Sequence, residues 1–198
     1  MSSSPSGTLR ATAILIAALL VGVGTGGGYA WYLTHGFERL PSYFYHYGPS
    51  WVRQKEEALA TSQLLLAHAA IFGTFGLPPR ETIYITAIRD SDGATLRSDA
   101  RYQICGRPPE AKYWSVTAYN DKGQFFETPS KRSSFDNENT TLRPDGSYCL
   151  TVQSEPANEN WLPTNGHTDM QFLFRLYRPT KATRAAIPQL VPTIRRQP

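Results

Sequence analysis

Tyr113-Trp114-Ser115-Val116-Thr117-Ala118-Tyr119, closed at once by Asn120-Asp121-Lys122-Gly123, alternates at period two. Trp114, Val116 and Ala118 share one face; Tyr113, Ser115, Thr117 and Tyr119 share the other. Aromatic and β-branched residues in this pattern, ended by an Asp-Lys-Gly turn, specify a half-buried strand. Its mate downstream is Asn160-Trp161-Leu162-Pro163, leading into Phe172-Leu173-Phe174-Arg175-Leu176-Tyr177-Arg178-Pro179. There Phe172, Phe174 and Leu176 line the core, and Leu173 marks partial cover on the other face.

The same period recurs outward from this run. Ile83, Ile85 and Ala87 alternate with Tyr84, Thr86 and Ile88 before Arg89-Asp90-Ser91-Asp92-Gly93 turns the chain. Residues 101–105 form a strand with Tyr102 and Ile104 inward. Asp145-Gly146 turns into residues 147–153, with Tyr148, Leu150 and Val152 inward. Residues 124–127 read as a short return strand, and residues 128–139 as a long polar surface loop. Ser50 is placed as an N-cap, so residues 51–72 read as a helix closed by Gly73. His68, among Leu66, Ala67, Ala69 and Ala70, is read as packing. The tail beyond Pro179, with Pro188 and Pro192, reads as irregular or a short extended segment. Short strands and Asp-Gly turns behind one helix predict a mainly β fold, an antiparallel sandwich or jelly roll.

Residues 11–32 carry no charge, about the 20 residues that a ~30 Å hydrocarbon core requires, and Trp31 and Tyr32 close the run as interfacial rings. An uncleaved anchor is the favoured reading. Gly28-Tyr29-Ala30 is also a small-x-small site at which a signal peptide would be cut. Arg10 and the amino terminus favour a cytoplasmic start, placing the globular part in the periplasm of a single-pass inner-membrane protein. The organisation that follows is a cytoplasmic tail (1–10), an anchor (11–32), an aromatic connector (33–49), a sandwich domain with its leading helix (50–180) and a C-terminal tail (181–198). Cys105 and Cys149 lie on the outer faces of their strands. An even pair outside the membrane is most simply a disulfide, with two unpaired thiols as the alternative.

The formal charge of +4 is scattered, with no basic stripe, so nucleic-acid binding is not expected. Asp90-Ser91-Asp92-Gly93 superficially resembles a calcium loop, but Arg101 stands where such a loop needs its bidentate Glu, and a turn is the better reading. His46 in the connector reads as interfacial rather than as a ligand. Gly26-Gly27-Gly28 lacks the Lys of a phosphate loop. His167 and Asp169 lie near Asn165, with Ser133 or Ser134 as conceivable nucleophiles; no nucleophile elbow, HExxH or Cys-x-x-Cys accompanies them. Two ligands are too few for a convincing metal site, and no cofactor is expected.

Taken in order, Glu81-Thr82-Ile83-Tyr84, Asp90-Ser91-Asp92-Gly93, Pro108-Pro109, the run at 113–119, Asn160-Trp161-Leu162-Pro163 and Arg175-Leu176-Tyr177-Arg178-Pro179 resemble the bacterial domain of unknown function 1214. The resemblance implies a β-sandwich of jelly-roll type, in a short anchored form, and association with a sister domain, number 1254. No catalytic residues come with it. The motifs have structural readings: Trp114 as core, Asn160 as a turn residue stiffened by Pro163, Arg175 as a carboxylate partner. The functional reading gathers Trp114, Tyr119, Asn160, Trp161 and Arg175 around a common cleft. The expected function is a membrane-anchored interaction module that meets a sister-domain protein or another copy of itself. The alternatives are a glycan or small-molecule binding domain and, behind that, a hydrolase-like enzyme.

Overall fold

In the computed structural model, residues 5–35, 43–56, 77–157 and 159–198 are described. The chain opens with one long helix, α1 (Pro5–His35). Within it Gly7–Tyr32 has a mean hydropathy of 1.8 and none of its apolar window is buried against protein, so it is long and apolar enough to cross a membrane.

Among the described residues ten strands follow: β1 (Phe44–Tyr47), β2 (Trp51–Gln54), β3 (Thr82–Ala87), β4 (Arg101–Gly106), β5 (Ala111–Asn120), β6 (Ser134–Asp136), β7 (Tyr148–Gln153), β8 (Trp161–Pro163), β9 (Met170–Pro179) and β10 (Thr193–Gln197). Two short helices, α2 (Lys181–Ala185) and α3 (Ile187–Leu190), sit between β9 and β10. The strands make two sheets, one in the order β1-β2-β3-β9-β5-β6 and one in the order β10-β4-β7-β8. All pairs are antiparallel except β7 with β8, which makes the second sheet mixed.

The predicted alternation is realised. Trp114, Val116 and Ala118 of β5 and Phe172, Phe174 and Leu176 of β9 join Tyr102, Ile104, Tyr148, Leu150 and Val152 of the second sheet in one core. At its centre the Trp114 and Tyr148 rings stack across the two sheets, centroids 4.9 Å apart and planes 20° apart, while Phe174 meets Trp114 edge-on at 6.4 Å. Offset stacks of this kind contribute beyond the area they bury. Gly106 lies opposite Tyr148 in the ladder, and a Cβ there would sit 3.1 Å from the phenol oxygen and 3.4 Å from Pro192. A side chain there would be tight against the Tyr148 ring, which would have to give by a few tenths of an ångström.

Several local expectations are corrected. Trp51–Gln54 is a strand, not the first turn of a helix; Trp51 is 1% exposed and its indole donates to the Pro192 carbonyl at 2.6 Å. The remainder of that expected helix, residues 57–72 with His68, lies outside the described residues, as does the connector at 36–42. Residues 124–127 form no strand, although the Gln124 carbonyl accepts from the Asn120 amide. The expected surface loop contains β6, which buries Phe135 and Asp136 on the edge of the first sheet. Beyond Pro179 the short extended segment allowed for there is found at residues 193–197, as the edge strand β10, with Ile194 wholly buried between Ser91 and β4.

Cys105 and Cys149, directly paired across β4 and β7 with Cα atoms 4.1 Å apart, form a disulfide. It spans a sequence separation of 44, for which loop closure in the unfolded chain corresponds to about 4 kcal/mol as an upper figure.

The Tyr148 hydroxyl is buried without a partner, and burial pushes its phenol well above the usual tyrosine range. Tyr148→Phe therefore leaves stability unchanged or raises it by up to about 1 kcal/mol, whereas Gly106→Ala lowers it by about 1–3 kcal/mol. Urea unfolding of both variants checks this, and adding Tyr148→Phe to Gly106→Ala should restore part of the loss.

Candidate functional site

The five residues expected around one cleft occupy three places. Trp114 belongs to the core. Arg175 and Tyr119 meet on the outer face of the first sheet, where adjacent strands β9 and β5 carry them. The Arg175 guanidinium donates to the Thr117 hydroxyl at 2.8 Å and to the Tyr119 hydroxyl, and among the described residues it meets no carboxylate. Tyr119 also stacks on Phe125, which is 55% exposed, with ring centroids 5.1 Å apart.

Asn160 and Trp161 lie on the second sheet. Asn160 holds φ 55°, a left-handed conformation that Asn tolerates better than most residues. Its amide oxygen accepts from the Thr141 amide at 2.8 Å, and its amide nitrogen donates to the carbonyls of Thr141 at 2.8 Å and Cys149 at 3.2 Å. One side chain thus pins a loop to β7 as a strand neighbour would. Trp161 donates from its indole to the Gln153 carbonyl. These bonds give Asn160 and Trp161 of the Asn-Trp-Leu-Pro run structural roles.

His167 and Asp169 enter a surface ion-pair network. Arg97 binds Asp169 at 2.9 Å and lies 3.4 Å from Asp99, which in turn faces His167 Nδ1 at 3.3 Å. The His167 side chain is 86% exposed and its carbonyl accepts from Arg97. Hydrogen bonding to His167 holds the Asp99 carboxyl below its usual range. Ser133 and Ser134 belong to the β6 region; the serine beside this network is Ser98, buried, whose hydroxyl accepts from the Thr168 amide at 3.0 Å. Among the described residues no cluster of three or more His, Cys, Asp or Glu is placed to hold a metal.

Asp90 is also structural. Its carboxylate accepts from the Asp92 and Ala94 amides, and Ser91 exchanges hydrogen bonds with Ile194. The acidic turn expected from the sequence therefore clasps β10.

Described residues line two concavities of note. One, of about 720 Å³, lies on the outer face of the second sheet above Cys149, between Gln103, Thr151 and the loop of Thr141, Leu142 and Arg143. The other, of about 600 Å³, lies on the first sheet, where Tyr113 of β5 and Tyr177 of β9 are paired across the ladder. Their rings meet edge to face at 5.5 Å and 63°. Leu77 flanks them, and Lys112, Glu138 and the Glu81–Arg178 pair at 2.8 Å stand around the rim. The Tyr113 hydroxyl donates to Asp136 at 2.8 Å, and Asp136 is fixed in turn by the Glu138 and Asn139 amides. Both tyrosines fall on the outer faces that alternation assigns them. What the sequence lacks is the β5–β9 register that sets them side by side.

Burial first, then the Asp136 hydrogen bond, pushes the Tyr113 phenol up to about 12. An unfolded tyrosine titrates near 10, so the stability contributed by the neutral phenol is fully present below about pH 10 and is lost as pH rises through about 12. The urea midpoint measured from about pH 9 to 12 should accordingly fall less steeply for Tyr113→Phe than for the parent chain. Equal slopes would show that Tyr113 does not carry this linkage.

The model of a family described as proteins of unknown function, DUF1214, matches residues 81–181. A crystal structure of a Vibrio parahaemolyticus protein is similar with a TM-score of 0.58 at 21% identity, over 73% of this chain and 38% of that one. A crystal structure of an uncharacterized protein from Burkholderia cenocepacia aligns with a TM-score of 0.42 at 20% identity, over 62% of this chain and 30% of that one. The chain thus spans well under half the length of either. A search of curated proteins returned no match.

Proposed function

The chain belongs to the DUF1214 family, and from that premise we propose that it is a membrane-anchored interaction module, held by α1 and presenting its β-sandwich outside the inner membrane. The observation that carries the reading is the apolar stretch Gly7–Tyr32, which buries none of its apolar window against protein while the sheets close a core of their own. A 26-residue helix rises about 39 Å, more than the ~30 Å hydrocarbon core. Lipid is the burial that such a surface needs. Arg10 at the start of the helix favours an inside amino terminus. A disulfide in the sheet agrees with a domain on the oxidising side.

The partner this reading expects is a protein carrying the sister domain 1254. The matched part covers 38% of the Vibrio protein; that a sister domain meets this chain as a separate molecule is part of the proposal. Nothing in the His167 network or the Asn160 turn asks for chemistry beyond structure.

Crosslinking the full-length protein in its native membrane, followed by mass spectrometry, tests the proposal. A specific adduct with a sister-domain protein, lost when residues 1–32 are removed, is the expected result. Self-links alone, or none, would contradict it.

A further inference from the structure

We infer that the Tyr113–Tyr177 cleft binds a neutral saccharide. This goes beyond the anchored-module reading and does not depend on it. The cleft joins three features. Its floor is two tyrosine rings set edge to face on neighbouring strands, 5.5 Å apart. Its flank is Leu77, 52% exposed although large and apolar. Its rim carries two cations and two carboxylates.

Charge decides among ligand classes. Lys112 and Arg178 are balanced by Glu81 and Glu138, so the described lining residues carry no net charge to attract an anion or a cation. Glu81 and Arg178 already satisfy each other at 2.8 Å. Among the described residues Lys112 and Glu138 enter no ion pair. A purely apolar ligand would place four charged groups against hydrocarbon, at a desolvation cost with no return. A pyranose ring suits the whole lining. Its C–H face lies on the electron-rich face of a tyrosine, its hydroxyls donate to the Glu138 carboxylate, and a ring oxygen or hydroxyl accepts from the Lys112 ammonium. The cleft's volume of about 600 Å³ lies within the range of small-ligand sites. Asp136 keeps the Tyr113 ring in place by accepting from its hydroxyl, so one wall is preorganised.

The test is calorimetric titration of the full chain in phospholipid nanodiscs, since sugar-headed detergents would compete. The probes are maltotetraose, cellotetraose and chitotetraose. At least one should bind with a dissociation constant of about 1 mM or tighter. Tyr177→Ala and, separately, the surface change Glu138→Gln should each weaken it by about tenfold. Circular dichroism confirms the fold of each variant; if Tyr177→Ala does not fold, Glu138→Gln alone decides. No binding of any probe at concentrations up to about 10 mM overturns the inference. So does binding that Glu138→Gln leaves unchanged.

Discussion

The stack of Trp114 on Tyr148 is the contact on which the rest of the molecule depends. One ring comes from the middle of the first sheet and the other from the second, so their meeting sets how closely the sheets approach. Phe174 and Trp51 extend the aromatic contact along the first sheet. Where Tyr148 crosses β4, its phenol lies close over Gly106, so a side chain at that position would press on the ring. The Trp51 indole reaches the Pro192 carbonyl, so the strand that enters the core first is tied to the chain's last turn. The disulfide between β4 and β7 joins the same two strands from the outer side. Burial inside and a covalent tie outside thus act on one strand pair.

With the inner faces used for packing, the outer faces carry the other half of the alternation. The first sheet offers tyrosines at positions that alternation turns away from the core. Tyr113 and Tyr177 line a cleft there; Tyr119, held by Arg175, forms a separate aromatic patch with Phe125. The ionic groups of the loops serve the fold. Asp90 holds its own turn and Ser91 clasps β10, Asn160 pins the 141 loop, and Arg97 joins Asp99 to Asp169.

Legibility followed range along the chain. The strands around Tyr102, Trp114, Tyr148 and Phe174 were readable because a two-residue period is local, and the core residues followed from it. The outward placement of Cys105 and Cys149 came from the same alternation. Trp51–Gln54 was misread because Ser50 resembles a helix cap, and a four-residue strand is too short for its period to outweigh that signal. β6 was hidden for the same reason: only Phe135 marks it within a polar stretch. The pairing of β10 with β4 joins residues 193–197 to residues 101–105, and nothing local in the tail specifies so distant a partner. The candidate site was the least legible feature. Tyr113 and Tyr177 each read as outward, but their adjacency depends on the β5–β9 register, and the motif residues Asn160 and Trp161 turned out to build a loop on the other sheet.

The central proposal is that this sandwich stands on an uncleaved helix on the oxidising side of a membrane. Its most direct test is the intact mass of the protein extracted from membranes into denaturant and a thiol-alkylating reagent, without reductant. The account predicts a chain that retains residues 11–32 and carries no alkyl group on Cys105 or Cys149. A chain cut after Ala30, or one alkylated at both cysteines, would contradict it.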